Sequence, residues 1–252
     1  MMLDGIKINL DEDVENIIWG GFSLIQKKKG FRFGVDAYLL ADFVRLRPQE
    51  KLLDMCTGTG IVALLLLAKR RGIHITALDI LPEMTDLVVR SVALNNLANI
   101  RVITEDLRKA PESIGSGLFS HVVANPPYFP VGAGDHSPLH SKAIARTELM
   151  CSLDELICAA SRLLNYGGKF TFVHRPTRLP DIFNALRAYS LEPKRMRLVY
   201  PYQGKEPNLV LIEARKNAGQ ELRIMPPFFV YKEPGIYSAE LERFFKADHT
   251  EI

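Results

Sequence analysis

Through the middle of the chain, short apolar runs alternate with longer stretches whose apolar positions recur at helical spacing. Lys51–Met55 (KLLDM) reads as a first strand and Gly60–Arg71 (GIVALLLLAKRR) as a buried helix with basic residues in its last turn, where they suit the helix dipole. His74–Asp79 is a second strand, Pro82–Asn96 a helix with proline near its start, Ile100–Thr104 a third strand and Phe119–Ala124 a fourth. Leu153–Leu164 is a helix with Ser152 as its cap and Gly167-Gly168 past its end. Lys169–His174 is a fifth strand, Arg178–Tyr189 a helix, and Arg195–Tyr200 and Leu209–Ala214 two closing strands. Strands and helices in this alternation predict an α/β fold. Seven strands form a mostly parallel sheet with helices on both faces. Residues 1–50 form a short hairpin and helix extension, 51–215 the core, and 216–252 a tail packed on that core.

Composition narrows the class. An apolar fraction of 47% excludes a disordered chain, and Gly 17 with Pro 15 in 252 residues excludes a collagen-like one. The longest apolar run, Ile61–Ala68, is far too short to cross a bilayer, so no membrane partner is expected. Net charge is +3, mildly basic, which permits a nucleic-acid partner without demanding one. Cys56, Cys151 and Cys158 give neither a disulfide framework nor a zinc set, and no metal is expected. The segment MMLDGIKINLDEDVE is acidic, unlike a secretory leader, and a reducing cytoplasm is the expected compartment.

In parallel sheets of this kind, ligands bind beyond the carboxyl ends of the strands. The first strand runs into Asp54-Met-Cys56-Thr-Gly58-Thr-Gly60, whose glycines allow a tight turn and close backbone approach to a ligand. With Ala63 this fits the loose pattern G-x-G-x-x-A, although a purely structural turn accounts for it equally well. Asp79 ends the second strand, where a carboxylate can accept from both ribose hydroxyls of an adenosine-type cofactor. Glu105-Asp106 follows the third strand; Asp106 can accept from an adenine amino group while the backbone at Leu107 reads the ring edge. Each acid alone also serves as a solvated strand end or helix cap. Three at successive strand ends point to a nucleoside cofactor.

Asn125-Pro126-Pro127-Tyr128 follows the fourth strand. The prolines restrict the residues before them, so Asn125 is held extended with its carboxamide aimed into the crevice. Its side-chain oxygen and the Pro126 carbonyl are two acceptors for one planar –NH2 group. Tyr128 can stack on the ring or amide that carries that nitrogen. The alternative is a turn in which Pro-Pro merely ends a strand.

Asp54–Gly60, Asp79, Asp106 and Asn125–Tyr128 together resemble the class I S-adenosylmethionine-dependent methyltransferases of the amino-methylating N-P-P-Y type, over about residues 35–215. Gly30–Ala41 (GFRFGVDAYLLA) and Pro201–Asn208 (PYQGKEPN) resemble, more narrowly, the bacterial adenine-N6 methyltransferases that act on valine tRNA beside the anticodon. The resemblance implies a Rossmann-like sheet, S-adenosylmethionine as cofactor and tRNA as partner. It also implies that the segment before the first strand closes over the cofactor, with Phe33 and Asp36 as pocket residues. The family's Asp-x-Gly-x-Gly-x-Gly turn is here Asp-x-Cys-x-Gly-x-Gly, with Cys56 in place of the first glycine. In such an enzyme Asn125 and the Pro126 carbonyl orient the acceptor amine, Tyr128 stacks on the base, and the target adenosine must leave its stack. Two rivals share the motif: glutamine-amide N5 methylation of a translation factor and adenine methylation of DNA. The first expects an amino-terminal helical domain, for which the roughly 50 residues before the first strand are too few, and the second a target-recognition domain, of which the sequence shows no sign.

Arg175, ending the fifth strand, can meet a substrate phosphate or pair with a local acid. The stretch Tyr128–Arg146, with His136, His140, Lys142 and Arg146, reads as a long loop over the motif. Lys27–Lys29 with Arg32, and Lys194, Arg195 and Arg197, read as solvated turns or phosphate contacts. Trp19 reads as a packing residue, and Cys151 and Cys158 as sharing the inner face of one helix.

Overall fold

The computed structural model describes residues 2–29, 32–127 and 151–246. Two small antiparallel hairpins open the chain, β1 (Met2–Leu3) with β2 (Ile6–Lys7) and β3 (Glu12–Asn16) with β4 (Ser23–Lys27), followed by helix α1 (Val35–Phe43). The core then runs β5 (Lys51–Met55), α2 (Ile61–Lys69), β6 (His74–Asp79), α3 (Pro82–Leu94), β7 (Ile100–Thr104), α4 (Ala110–Ser113) and β8 (Phe119–Ala124). After residue 150 come α5 (Leu153–Leu163), β9 (Leu164–His174), α6 (Leu179–Ala188), β10 (Leu191–Tyr200) and β11 (Leu209–Lys216). The order across the sheet is β7-β6-β5-β8-β9-β11-β10. The first five strands are parallel, and β11 is antiparallel to both its neighbours.

These are the seven expected strands, but among the described residues the sheet has nine. Two two-residue strands, β12 (Arg223–Ile224) and β13 (Phe228–Phe229), pair parallel with the outer side of β10. They give that edge backbone partners; the second lies in the apolar run Phe228–Tyr231 (FFVY), which is not among the expected strands. Gly167-Gly168 is a second departure from expectation. It lies past the end of α5 but does not cap it: the cap is Leu164, and the glycines fall inside β9, which leaves the helix directly; the pairing with β8 shifts register between Phe119 and His121 there. The start of α5 is as expected: Ser152 accepts from the Glu155 amide and Glu155 accepts from the Ser152 amide, closing a capping box. Cys151 lies just before that helix rather than on its face.

Every residue of α2 is buried, Lys69 included. At ~1.5–3 kcal/mol per buried large aliphatic side chain, this helix anchors one face of the sheet. Lys69 is not a solvated last-turn charge: its ammonium donates to the carbonyls of Ala41, Asp42 and Val44, at 3.2, 2.7 and 2.8 Å, where α1 ends. Ile17, Trp19, Phe22, Leu24, Ala37–Ala41, Phe43, Val44, Ile61–Ala68 of α2 and the tail residues Phe228, Leu241 and Phe244 belong to one apolar cluster. A second cluster fills the other face around α5, α6, β8 and β9. Trp19 is buried in the first, with its indole N–H donating to the Phe244 carbonyl at 2.7 Å.

The second hairpin docks on α3 through polar bonds. The Ile25 amide donates to Ser91 Oγ, the Ser23 amide to Asn95 Oδ1, and Arg90 grips the buried Glu12 carboxylate at 2.7 and 2.9 Å. Lys27 pairs with Asp11 and Glu12, and Arg32 with Asp13 and Glu15, so these cations face acids in and beside their own hairpin. Arg195 and Arg197 are likewise turned inward. Arg195 is buried against Glu213 and the Phe43 carbonyl, and Arg197 joins Glu240 and lies over the Phe228 ring.

Candidate functional site

Chain direction changes between β5 and β8. From β5 the chain moves outward through β6 to β7, then returns to place β8 on the other side of β5. Met55 is paired with Ala124, so the turn after β5 and Asn125 after β8 emerge side by side. A crevice at such a reversal is where doubly wound sheets bind ligands.

The turn after β5 is fixed from two directions. Asp54 is 1% exposed, and its Oδ2 accepts from Thr57 Oγ1 at 2.5 Å and from the Ala63 amide at 3.2 Å. The Thr57 amide donates to the Leu78 carbonyl and the Gly58 amide to Asp79 Oδ2, tying the turn to β6. Gly60 has φ +84, and a Cβ there would sit 3.0 Å from a Val88 methyl; glycine is needed on both counts. Cys56 also adopts positive φ, +62, so the position where the family resemblance expects glycine keeps a glycine-like backbone while carrying a side chain.

The charges here are poorly balanced. Burial pushes the Asp54 carboxyl up to about 7, and Oδ1 has no hydrogen-bond partner. Asp79 is 8% exposed and also raised by burial, although its two oxygens accept from the Leu81 and Gly58 amides. Thr59 Oγ1 is buried and unpartnered too. Burial, with the thiol of Cys151 and nearby carboxylates, pushes the Cys56 thiol well up. Two buried carboxylates and an unmet hydroxyl suit a ligand that brings hydroxyl donors and positive charge.

Asp106, beyond β7, is different. Arg108 holds both its oxygens, which keeps its carboxyl below the usual range, so only its remaining lone pairs are open to a ligand. Leu107 beside it is buried. Arg108 is a site neighbour that the sequence reading missed; an arginine two residues from an acid carries no signal of its own.

Asn125 is half-buried and Pro126 buried behind it. The Asn125 amide nitrogen donates to Asp36 Oδ2 at 3.2 Å. Asp36 lies in the first turn of α1, and half-buried Phe33, just before that helix, packs on Tyr38. The structure thus brings the segment ahead of β5 onto the end of β8, across 89 residues of sequence. Tyr128, His136, His140, Lys142 and Arg146 lie outside the described residues. Arg175 donates to the Asn208 carbonyl at 3.3 Å, joining the end of β9 to the loop before β11 on the crevice side. His174 next to it is buried, which pushes its imidazole down to about 4 and keeps it neutral. Among the described residues no cluster of His, Cys, Asp and Glu could hold a metal ion, and no helix is long and apolar enough to cross a membrane.

Against known proteins, the profile of the family described as "Methyltransferase small domain" matches residues 32–186. A tRNA1(Val) (adenine(37)-N6)-methyltransferase of Bacteroides fragilis is 30% identical over 193 residues, 76% of this chain and 80% of that protein. The enzyme of the same name from Porphyromonas gingivalis is 28% identical over 238 residues, 91% of this chain and 92% of its own. A crystal structure described as a predicted O-methyltransferase from Agrobacterium tumefaciens matches with a TM-score of 0.67 at 20% identity, over 84% of this chain and 98% of that one. At that identity the likeness is one of fold.

Proposed function

The chain belongs to the methyltransferase small domain family, and from that premise we propose that it transfers a methyl group from S-adenosylmethionine to the exocyclic N6 amine of an adenosine in tRNA, near the anticodon. The observation that carries the reading is Asn125 at the strand reversal, backed by Pro126, with its amide hydrogens turned to Asp36. That leaves the carboxamide oxygen as an acceptor for an incoming amine. The substrate class is supported by the printed names of the relatives, which span most of this chain.

The residues fit the cofactor. Asp79 suits the ribose hydroxyls, Gly58 and Gly60 close backbone approach, Asp106 and Leu107 the adenine edge, and Asp54 with Cys56 and Phe33 the remaining walls. The orphaned Asp54 Oδ1 and the uncompensated charge of the two buried carboxylates are the features a cationic, hydroxyl-bearing ligand would satisfy. When bound, that cofactor would supply an electrophilic methyl carbon to the amine lone pair and keep the C–S electron pair on its departing sulfur, the amine giving up one N–H proton to water. Asn125 and the Pro126 carbonyl hold the amine by its two hydrogens and turn its lone pair out of conjugation. Tyr128 stacks on the base, and Arg175 meets substrate phosphate. No strong base is needed, because the nitrogen loses its proton only once it carries the methyl group. Residues 1–50 close over the cofactor, 51–215 form the catalytic core and 216–252 pack on it; the cytoplasm is the compartment where such a substrate is met.

The test is incubation with methyl-labelled S-adenosylmethionine and total tRNA, followed by mass spectrometry of the nucleosides. N6-methyladenosine is expected with the wild type and only a small residue of it with Asn125→Ala. No label on any tRNA, or equal label from both proteins, refutes the reading. Label on a translation-factor glutamine or on DNA in parallel reactions redirects it to that substrate.

A further inference from the structure

We propose that Asp36 is a positioning residue that decides which edge of the Asn125 carboxamide meets the methyl acceptor. The inference rests on the reading that Asn125 receives an amine. A carboxamide has two ends of nearly the same shape, and a half-turn exchanges acceptor for donor. With the oxygen inward, Asn125 accepts from the substrate –NH2; with the nitrogen inward, donor faces donor and the substrate is repelled. Nothing in the proline frame selects between these states, because Pro126 and Pro127 restrain the backbone and not the side-chain torsion.

Asp36 makes the selection. A carboxylate only accepts, so its Oδ2, 3.2 Å from Asn125 Nδ2, holds the nitrogen edge outward and leaves the oxygen for the substrate. Its negative charge also polarises the amide, drawing electron density to the oxygen as the acceptor nitrogen becomes positive. The placement has support from α1. Asp36 stands in the first turn, where the helix end favours an anion. The residue before the helix is Gly34, and a Cβ there would lie 2.8 Å from Asp36 Oδ1. Glycine at 34 therefore leaves room for the carboxylate in this position.

Asp36→Ala, Asp36→Asn and Gly34→Ala test the assignment, with Asn125→Ala and the double variant Asp36→Ala/Asn125→Ala. Losing a hydrogen bond to a charged group lowers kcat by roughly 10- to 100-fold in Asp36→Ala. KM for tRNA and Kd for S-adenosylhomocysteine, read by calorimetry, stay within about twofold if the residue acts only through Asn125. Asp36→Asn, which still offers an oxygen, recovers part of the rate. Gly34→Ala lowers kcat although the carboxylate is retained, and adding Asp36→Ala to Asn125→Ala causes no further loss. A readout free of activity is the Asn125 side-chain amide resonance in nitrogen-15 spectra, identified by its disappearance in Asn125→Ala. Its hydrogens are protected from exchange in the wild type and lose protection in Asp36→Ala. An unchanged resonance overturns the proposal, as does a Kd that loosens in step with kcat, which would make Asp36 a cofactor residue. A wild type inactive on tRNA refutes the functional reading instead, and the resonance still decides the Asp36–Asn125 lock.

Discussion

Asp54→Asn is expected to stabilise the free protein at alkaline pH while weakening cofactor binding. The Asp54 side chain is 1% exposed, with one oxygen bonded to Thr57 and Ala63 and the other unpartnered. Its carboxyl is raised from 3.8 to about 7 in the folded protein, chiefly by burial. Between those values the native state holds a proton that the unfolded state has lost, so stability falls as pH rises. The whole cost is ~4 kcal/mol, complete above about pH 7. An asparagine carries no such cost. Its oxygen still accepts from Thr57 and Ala63, while its NH2 takes the unpartnered place at a price of ~1–3 kcal/mol. Below about pH 4 the variant is therefore the less stable protein, and above pH 7 the more stable by ~1–3 kcal/mol. Urea unfolding of both proteins between pH 5 and 8 measures this; the stability difference is expected to move by about 2–3 kcal/mol in the variant's favour across that window. Parallel pH profiles would refute the claim that Asp54 is charged at a cost to the fold.

Arg90→Ala leaves the buried Glu12 carboxylate without its guanidinium, and unfolding should lose ~3–5 kcal/mol at pH 7. Glu12 is held well below the usual carboxylate range, first by its hydrogen bonds from Arg90; that stability is present above about 4.5 and is lost as pH falls through the folded value. In Arg90→Ala the acid sensitivity should shrink, and an unchanged acid profile would count against the pairing. Gly60→Ala meets both a positive φ and the Val88 methyl, so the melting temperature should drop by about 3–8 °C; an unchanged value would mean the turn is laxer than its geometry. Cys56, with its thiol well up, and Cys151, pushed up to about 12, should resist iodoacetamide at pH 8 in the native protein and react on unfolding. Rapid native alkylation of either, followed by mass spectrometry, would overturn that.

Strand and helix periodicity carries the frame of this protein. Lys51–Met55, His74–Asp79 and Phe119–Ala124 lie where their apolar patterns place them, because strands covered on both faces are largely apolar; the edge strand Ile100–Thr104 is also where expected, with Arg101 and Thr104 exposed. The carboxyl-end rule then gathers Asp54, Asp79, Asp106 and Asn125 at one rim without any distance being known. Local pattern is silent where partners come from far away in sequence. Lys69, Arg195 and Arg197 look like surface charge along the chain, yet they bond carbonyls and acids on other elements. The two short strands beside β10 form because a sheet edge was open, and at two residues each they are too short for any periodicity to show. Asp36 meets Asn125 only once α1 is laid over the end of β8, so the orientation of that carboxamide is decided by packing. Periodicity and turn chemistry act within a few residues, whereas charge pairing, edge pairing and the direction of an amide depend on which surfaces the folded chain brings together.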